Sequence, residues 1–314
     1  MNLLARPRAA LGRLRRSPAR LIGSILGAGL FVAAIWAAAS KPGAWEAVAS
    51  ARGDWRLWSL AIGLPLLNLL LVAMSFWALL NRFGRVEPGE TVALISSAWL
   101  LNYLPMRPGL VGRVAYHKVV NRISVRASAG ITVLGLVCSG TGAAIALGVT
   151  ILLGTGATAL MWVGALSLPA VAIACASAAL WASHSPMWRL GAALALRYVD
   201  LLVWAGRYGV TFALVGSPIS VDTAVALAVA SQIAMLVPVA GNGLGLREWA
   251  IGLTAASLAA APTEAGLAAD LVNRAAEVLA AVPAGLLGAR AVSRRLRAHR
   301  QRRAQVAEGI GREA

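Results

Sequence analysis

The sequence predicts an all-α integral membrane protein with about six full spans and two re-entrant broken helices, arranged as an inverted repeat. Three observations carry that expectation. Of 314 residues, 59% are hydrophobic and only 13% charged, against roughly a quarter charged in a soluble domain. The charges are lopsided, 29 Lys and Arg against 12 Asp and Glu, a net of +17. Two Pro/Gly breaks, within 102–116 and 235–249, fall at matching places in the two halves of the chain. So few charges cannot cover a soluble globule, and a mean hydropathy of +0.73 excludes disorder. The basic residues are not spread over a polar surface, which excludes a nucleic-acid partner despite the high pI.

The spans follow in order. A hydrocarbon core of about 30 Å takes roughly 20 apolar residues as helix. Residues 21–40, 57–80, 127–152 and 158–182 meet that standard with few or no charges. Residues 190–215 and 263–289 are long enough but carry charges. The first run follows a basic leader, 1–20, with six arginines. A cleaved signal peptide competes, since AAAS at 37–40 resembles a cleavage site. The apolar run exceeds the usual ~7–15 residues, which favours an uncleaved anchor. Residues 91–106 run into Pro105 and 223–239 into Pro238. Helices of that length reach only about 24 Å, which suits re-entrant segments.

Charge sets the orientation. The leader and the tail 290–314, with eight arginines, are both strongly basic and belong in the cytoplasm. Residues 107–126 hold five basic residues and no acid and belong there too. Six spans then leave the loops 41–56, 153–157 and 216–222 outside. The transmembrane domain is 21–289, with repeats 21–152 and 158–289. Each half holds three spans, an odd number, so the second must be inverted relative to the first. Its breaks align as Pro105, Gly109, Arg113 against Pro238, Gly243, Gly245, Arg247. In such folds a binding site lies near the midplane, where the broken helices meet.

Charges inside spans mark the interior. Each costs on the order of 2.5–3.5 kcal/mol at a helix centre. Asp270, Arg274 and Glu277 share one helical face, as do Arg197, Asp200 and Arg207. Internal ion pairing, Asp270 with Arg274 for instance, is one reading of these stripes; a binding role is the other. Trp45, Trp55, Trp58, Trp181 and Trp188 read as interfacial anchors, while Trp99 and Trp249 either pack or shape a site. Cys138 and Cys175 sit in apolar runs, and His117, His184 and His299 are scattered, so no metal and no cofactor is expected.

The breaks also carry a family resemblance. Asn102, Pro105, Gly109, Arg113 and Tyr116 resemble the first motif of the flippase-like membrane domain of bacterial lysylphosphatidylglycerol synthases. Residues 238–248, PVAGNGLGLRE, resemble its second motif more specifically, and Asn273-Arg274 a third. The resemblance runs from about residue 21 to 290. It departs at Leu110, where relatives carry Glu, and in lacking the aminoacyl-transferase domain. It implies a lipid transporter of the bacterial inner membrane, moving an anionic phospholipid or a polyprenyl-linked lipid between leaflets. A phosphate crossing an apolar core needs cationic groups. Substrate contacts are accordingly expected from Asn102, Arg113, Tyr116, Arg207, Arg247, Glu248 and Arg274, and ion pairing or proton coupling from Asp200, Asp270 and Glu277. The helix N-termini beyond the glycines would add partial positive charge. The alternatives are a membrane partner of a glycosyltransferase and a polyprenyl-phosphate transferase. For the transferase, Glu248, Asp270 and Glu277 lack the DxxD spacing of metal-dependent enzymes. The tail either binds anionic lipid or acts as a topology signal.

Overall fold

The computed structural model describes residues 18–40, 42–104, 108–154, 157–236 and 241–312. Among these the chain is helical, with no strand. Its helices are α1 (Pro18–Ala39), α2 (Pro42–Ser50), α3 (Trp55–Leu80), α4 (Pro88–Leu101), α5 (Pro108–Val119) and α6 (Val125–Leu153). They continue as α7 (Ala159–Ala182), α8 (Trp188–Leu214), α9 (Val221–Leu236), α10 (Leu246–Ser257) and α11 (Thr263–Arg312). The leader up to residue 17, Pro105 and Pro238 lie outside the described residues.

Local sequence sets the helix starts. The Asp54 carboxylate accepts from the Arg56 and Leu57 amides at 3.0 and 3.2 Å, and the Ser124 hydroxyl accepts from the Ala127 amide at 3.1 Å. These are N-caps for α3 and α6. Pro88 and Pro108 open α4 and α5, where the missing N–H costs nothing.

Four helices, α3, α6, α7 and α11, are long and apolar enough to cross a membrane. A fifth span arises if α1 is joined to α2 and the following turn across a 78° bend. The chain is therefore an apolar, all-helical membrane protein, with fewer qualifying spans than the expected six. The difference lies in α8, which has 27 residues but carries Arg189, Arg197, Asp200 and Arg207. Two further expectations need correction. The segment 41–56 is not a plain loop, because α2 forms within it. Residues 290–312 are not a separate tail; they extend α11 to 50 residues, about 75 Å of helix.

The core sits around α8, which packs on α3, α6, α7, α9 and α11. Tyr198, Tyr208 and Phe212 of α8 meet Leu227 of α9, Ile251 of α10 and Leu267 of α11 there, all fully buried. By contrast α7 is almost entirely exposed, the pattern of a helix facing lipid.

Helices α4 and α11 run antiparallel. Glu90 of α4 meets Arg295 of α11, while further along a Cβ on Gly288 would lie 3.0 Å from Ser96 Cβ and one on Gly285 3.1 Å from Leu100 Cγ. Small residues allow this approach. Helices α4 and α5 form a hairpin. Gly109 lies so close to α4 that a Cβ would meet Ala98 Cα at 2.7 Å. At the open end Asn121 Nδ2 donates to Glu90 Oε1 at 2.9 Å. The open end of the hairpin therefore lies on the side where α11 extends.

Candidate functional site

The second break ends in backbone that only a few residue types accept. Asn242, Gly243 and Gly245 have φ of 50°, 71° and 81°, the left-handed region that favours Gly and Asn. A Cβ on Gly245 would also lie 2.6 Å from Leu30 Cβ of α1. This turn delivers Arg247 and Glu248, in the first turn of α10, against the charged face of α11.

What forms is a buried ion-pair network. Arg247 Nε donates to Asp270 Oδ2 at 3.0 Å and its Nη1 to Glu277 Oε2 at 2.8 Å. Arg207 of α8 donates to the same Glu277 oxygen at 3.1 Å, to Asn273 Oδ1 at 3.0 Å and to Asn68 Oδ1 at 3.2 Å. Asn68 then donates to Asp200 Oδ1 at 2.6 Å. Tyr208 and Asn273 donate to Asp270 Oδ1 at 3.1 and 3.2 Å, and Trp99 donates to Glu277 Oε1 at 3.2 Å. Arg274 Nε pairs with Glu248. Arg197 lies 4.0 Å from Asp200.

The network brings eight of the charged residues together, Arg197, Arg207, Arg247 and Arg274 against Asp200, Glu248, Asp270 and Glu277. Four charges of each sign cancel, which a low-dielectric interior requires. The indole of Trp204 underlies it, with the Arg207 and Arg247 guanidinium carbons 3.8 and 5.5 Å from its ring centre.

The expected Asp270–Arg274 pair does not form. Each acid is paired across helices instead, Asp270 with Arg247 and Glu248 with Arg274. Arg247 is fully buried between α10 and α11 and must be neutralised there. Tyr208 and Asn273 occupy the other oxygen of Asp270.

Not every donor is used. Among the described residues, Arg274 Nη1 and Nη2 and Arg247 Nη2 have no hydrogen-bond acceptor. The Arg274 side chain is only 6% exposed and lies near Phe31 of α1, 5.8 Å from guanidinium carbon to ring centre. Buried guanidinium donors normally find partners; in the same network Arg197 Nε and the Glu248 Oε2 acceptor are likewise without one among the described residues.

Arg113 and Tyr116 stand apart from the network, on α5. Arg113 donates to Thr132 Oγ1 at 3.0 Å and lies 4.0 Å over the Phe76 ring. Tyr116 is buried. Asn102 closes α4 beside Gly109, its side-chain oxygen buried without a hydrogen bond among the described residues. Sequence reasoning missed Asn68, Tyr208 and Trp204. Asn68 was detectable as a lone amide in the apolar run 57–80; Trp204 was not distinguished from ten other tryptophans. No group of three or more potential metal ligands occurs among the described residues.

Fold and site together define an all-helical membrane protein whose broken helix carries a buried, electroneutral charge network. No family model matches the chain, and neither a curated protein nor a solved structure matches it.

Proposed function

We propose that this protein is a lipid transporter of the bacterial inner membrane, carrying an anionic phospholipid or polyprenyl-linked lipid between leaflets. The observation that carries this reading is Arg274, a buried guanidinium with both Nη groups unspent beside the broken helix. Arg207 and most of Arg247 are neutralised by Glu277 and Asp270, so the phosphate contact belongs chiefly to Arg274, with Arg247 Nη2 beside it.

The resemblance of 102–116 and 238–248 to the flippase-like domain of lysylphosphatidylglycerol synthases supports the same reading. Packing supports an inverted repeat. Pairing α3 with α8, α4 with α9, α5 with α10 and α6 with α11 relates contacts in one half to contacts in the other. The contact of α4 on α11 corresponds to α9 on α6, and α5 on α6 corresponds to α10 on α11. Both termini are cytoplasmic in this arrangement, by the positive charge of the leader and of the α11 extension.

In mechanism, the headgroup phosphate takes up the unpaired Nη donors of Arg274 while the acyl chains stay in lipid. The Glu248 carboxylate holds the guanidinium and gives way as the phosphate arrives. A leaflet-resolved assay in proteoliposomes tests this. Arg274→Ala is expected to slow lipid movement at least about tenfold, the worth of one charge-assisted hydrogen bond. Movement at the wild-type rate in Arg274→Ala and in Arg247→Ala/Arg274→Ala overturns the reading.

A further inference from the structure

A second feature lies away from the charge network, and its reading does not depend on the one above. Helices α4 and α5 and the extension of α11 enclose a groove of about 350 Å³. Its walls are apolar: Leu94, Ala98 and Leu101 from α4, Val292 and Leu296 from α11. Gly109 and Gly112 form its floor along α5. From Gly109 to Val119 the floor runs ten residues, about 15 Å of helix.

Ser97 and Tyr116 add hydroxyls to the walls, and the charged groups that open into the groove gather at one end. Its deep end is the hairpin tip, where Leu101 and Gly109 lie. Its mouth lies under α11, where His299 and Arg300 project, next to Arg294, Arg295 and Arg297 in the sequence. Arg113 also borders the groove, but its guanidinium is turned outward to Thr132 and Phe76. At the mouth Arg295 is spent on Glu87 and Glu90, so the positive charge offered there rests on Arg300, with His299 beside it.

A narrow apolar slot with a cationic mouth, on a helix pair of a membrane protein, is complementary to an amphiphile with one chain in the slot and an anion at the mouth. We propose that this groove binds an anionic phospholipid, one acyl chain lying along α5 and the phosphate held at Arg300 and His299. The inference requires only that the protein sits in a membrane. It does not require that the protein moves lipid.

Gly112 supplies a clean test, because a Cβ there would meet nothing within 4 Å. Gly112→Phe adds a ring to the floor from a position where a Cβ meets no neighbour, and Leu296→Trp adds bulk from the opposite wall. The full chain is reconstituted in nanodiscs of phosphatidylglycerol and phosphatidylcholine, and lipid retained after delipidation is counted by native mass spectrometry. Wild-type protein is expected to retain phosphatidylglycerol in preference to phosphatidylcholine. Each filling variant is expected to lose at least about fivefold of the retained lipid at an unchanged melting temperature. Arg300→Glu is expected to abolish the preference while retaining lipid. Undiminished retention in both filling variants overturns the proposal. So does a wild-type protein that shows no preference, or that retains palmitate equally well when it is offered as the free acid. If one filling variant fails to fold, the other still decides. Since nothing here reads transport, a protein that moves no lipid returns the same answer.

Discussion

Arg274 gives its Nε to Glu248 and leaves both Nη groups without an acceptor among the described residues. Arg247, the residue before Glu248 in α10, is instead gripped by two carboxylates, Asp270 and Glu277. The two arginines thus do different work. Arg247 ties α10 to α11; Arg274 is tethered by one atom and offers the rest. That asymmetry predicts how the pair responds to mutation. Arg274→Met and Glu248→Met each strand one buried charge, a loss of about 3–5 kcal/mol. The double variant strands neither and is expected to be more stable than either single one. Unfolding midpoints in detergent check the order; additive losses would refute the coupling.

Glu277 joins Arg207 of α8 to Arg247 of α10 through a single oxygen, Oε2, at 3.1 and 2.8 Å. Its other oxygen accepts from Trp99 and Asn242. Glu277→Ala leaves two guanidiniums buried beside Trp204 and is expected to cost about 3–5 kcal/mol, enough to unfold a marginal protein. Arg295→Ala is the contrast. Arg295 is 41% exposed and pairs with Glu87, 70% exposed, and with Glu90, 6% exposed, which keeps the Asn121 amide as a neutral partner, so the loss is expected to be smaller, about 1–2 kcal/mol, and to shrink with added salt. Equal losses at the two positions would contradict the burial argument.

The backbone at the two breaks makes a separate prediction. Gly245 has φ of 81° and would press a Cβ on Leu30 of α1. Gly245→Ala combines left-handed strain of about 1–2 kcal/mol with an overpacking cost of about 1–3 kcal/mol. Gly109→Ala meets the backbone of α4 and carries the overpacking cost alone. Gly63→Ala, in open space on α3, is expected to be neutral or stabilising by up to about 1 kcal/mol. Melting temperatures of the three variants test the ranking.

Much of this was legible in the sequence, and the rest was hidden for a physical reason. Asp270, Arg274 and Glu277 announce a buried face of α11, because helical spacing fixes which residues share a side. Their partners do not, because pairing is tertiary. Asn68 and Asp200 are 132 residues apart, and Arg207 and Glu277 are 70. Local spacing suggested Asp270–Arg274, and packing preferred Arg247, which arrives from a turn built on three positive-φ residues. The same limit applies to α8. Its Arg197, Asp200 and Arg207 look costly for a span in isolation and become neutral only once α3, α10 and α11 surround them. The groove along α5 was invisible for a related reason, since its upper wall belongs to residues 292–300, which composition alone marks as a basic tail.

The exposed face of α7 yields the last prediction. Cys138 on α6 is buried against Phe76, Ile131 and Ala193, whereas Cys175 on α7 is exposed. In water an exposed thiol would be the reactive one. If α7 faces hydrocarbon, exposure in the fold means contact with acyl chains, where a thiolate does not form. Neither cysteine should then react with a charged, membrane-impermeant maleimide in intact vesicles. Detergent-solubilised, denatured protein should label at both. A Cys introduced in place of Ser183, which follows the end of α7, lies at the interface and should label in vesicles open to the correct side. Modification of Cys175 in intact vesicles at the rate seen for that position would place α7 in water and remove it from the set of spans.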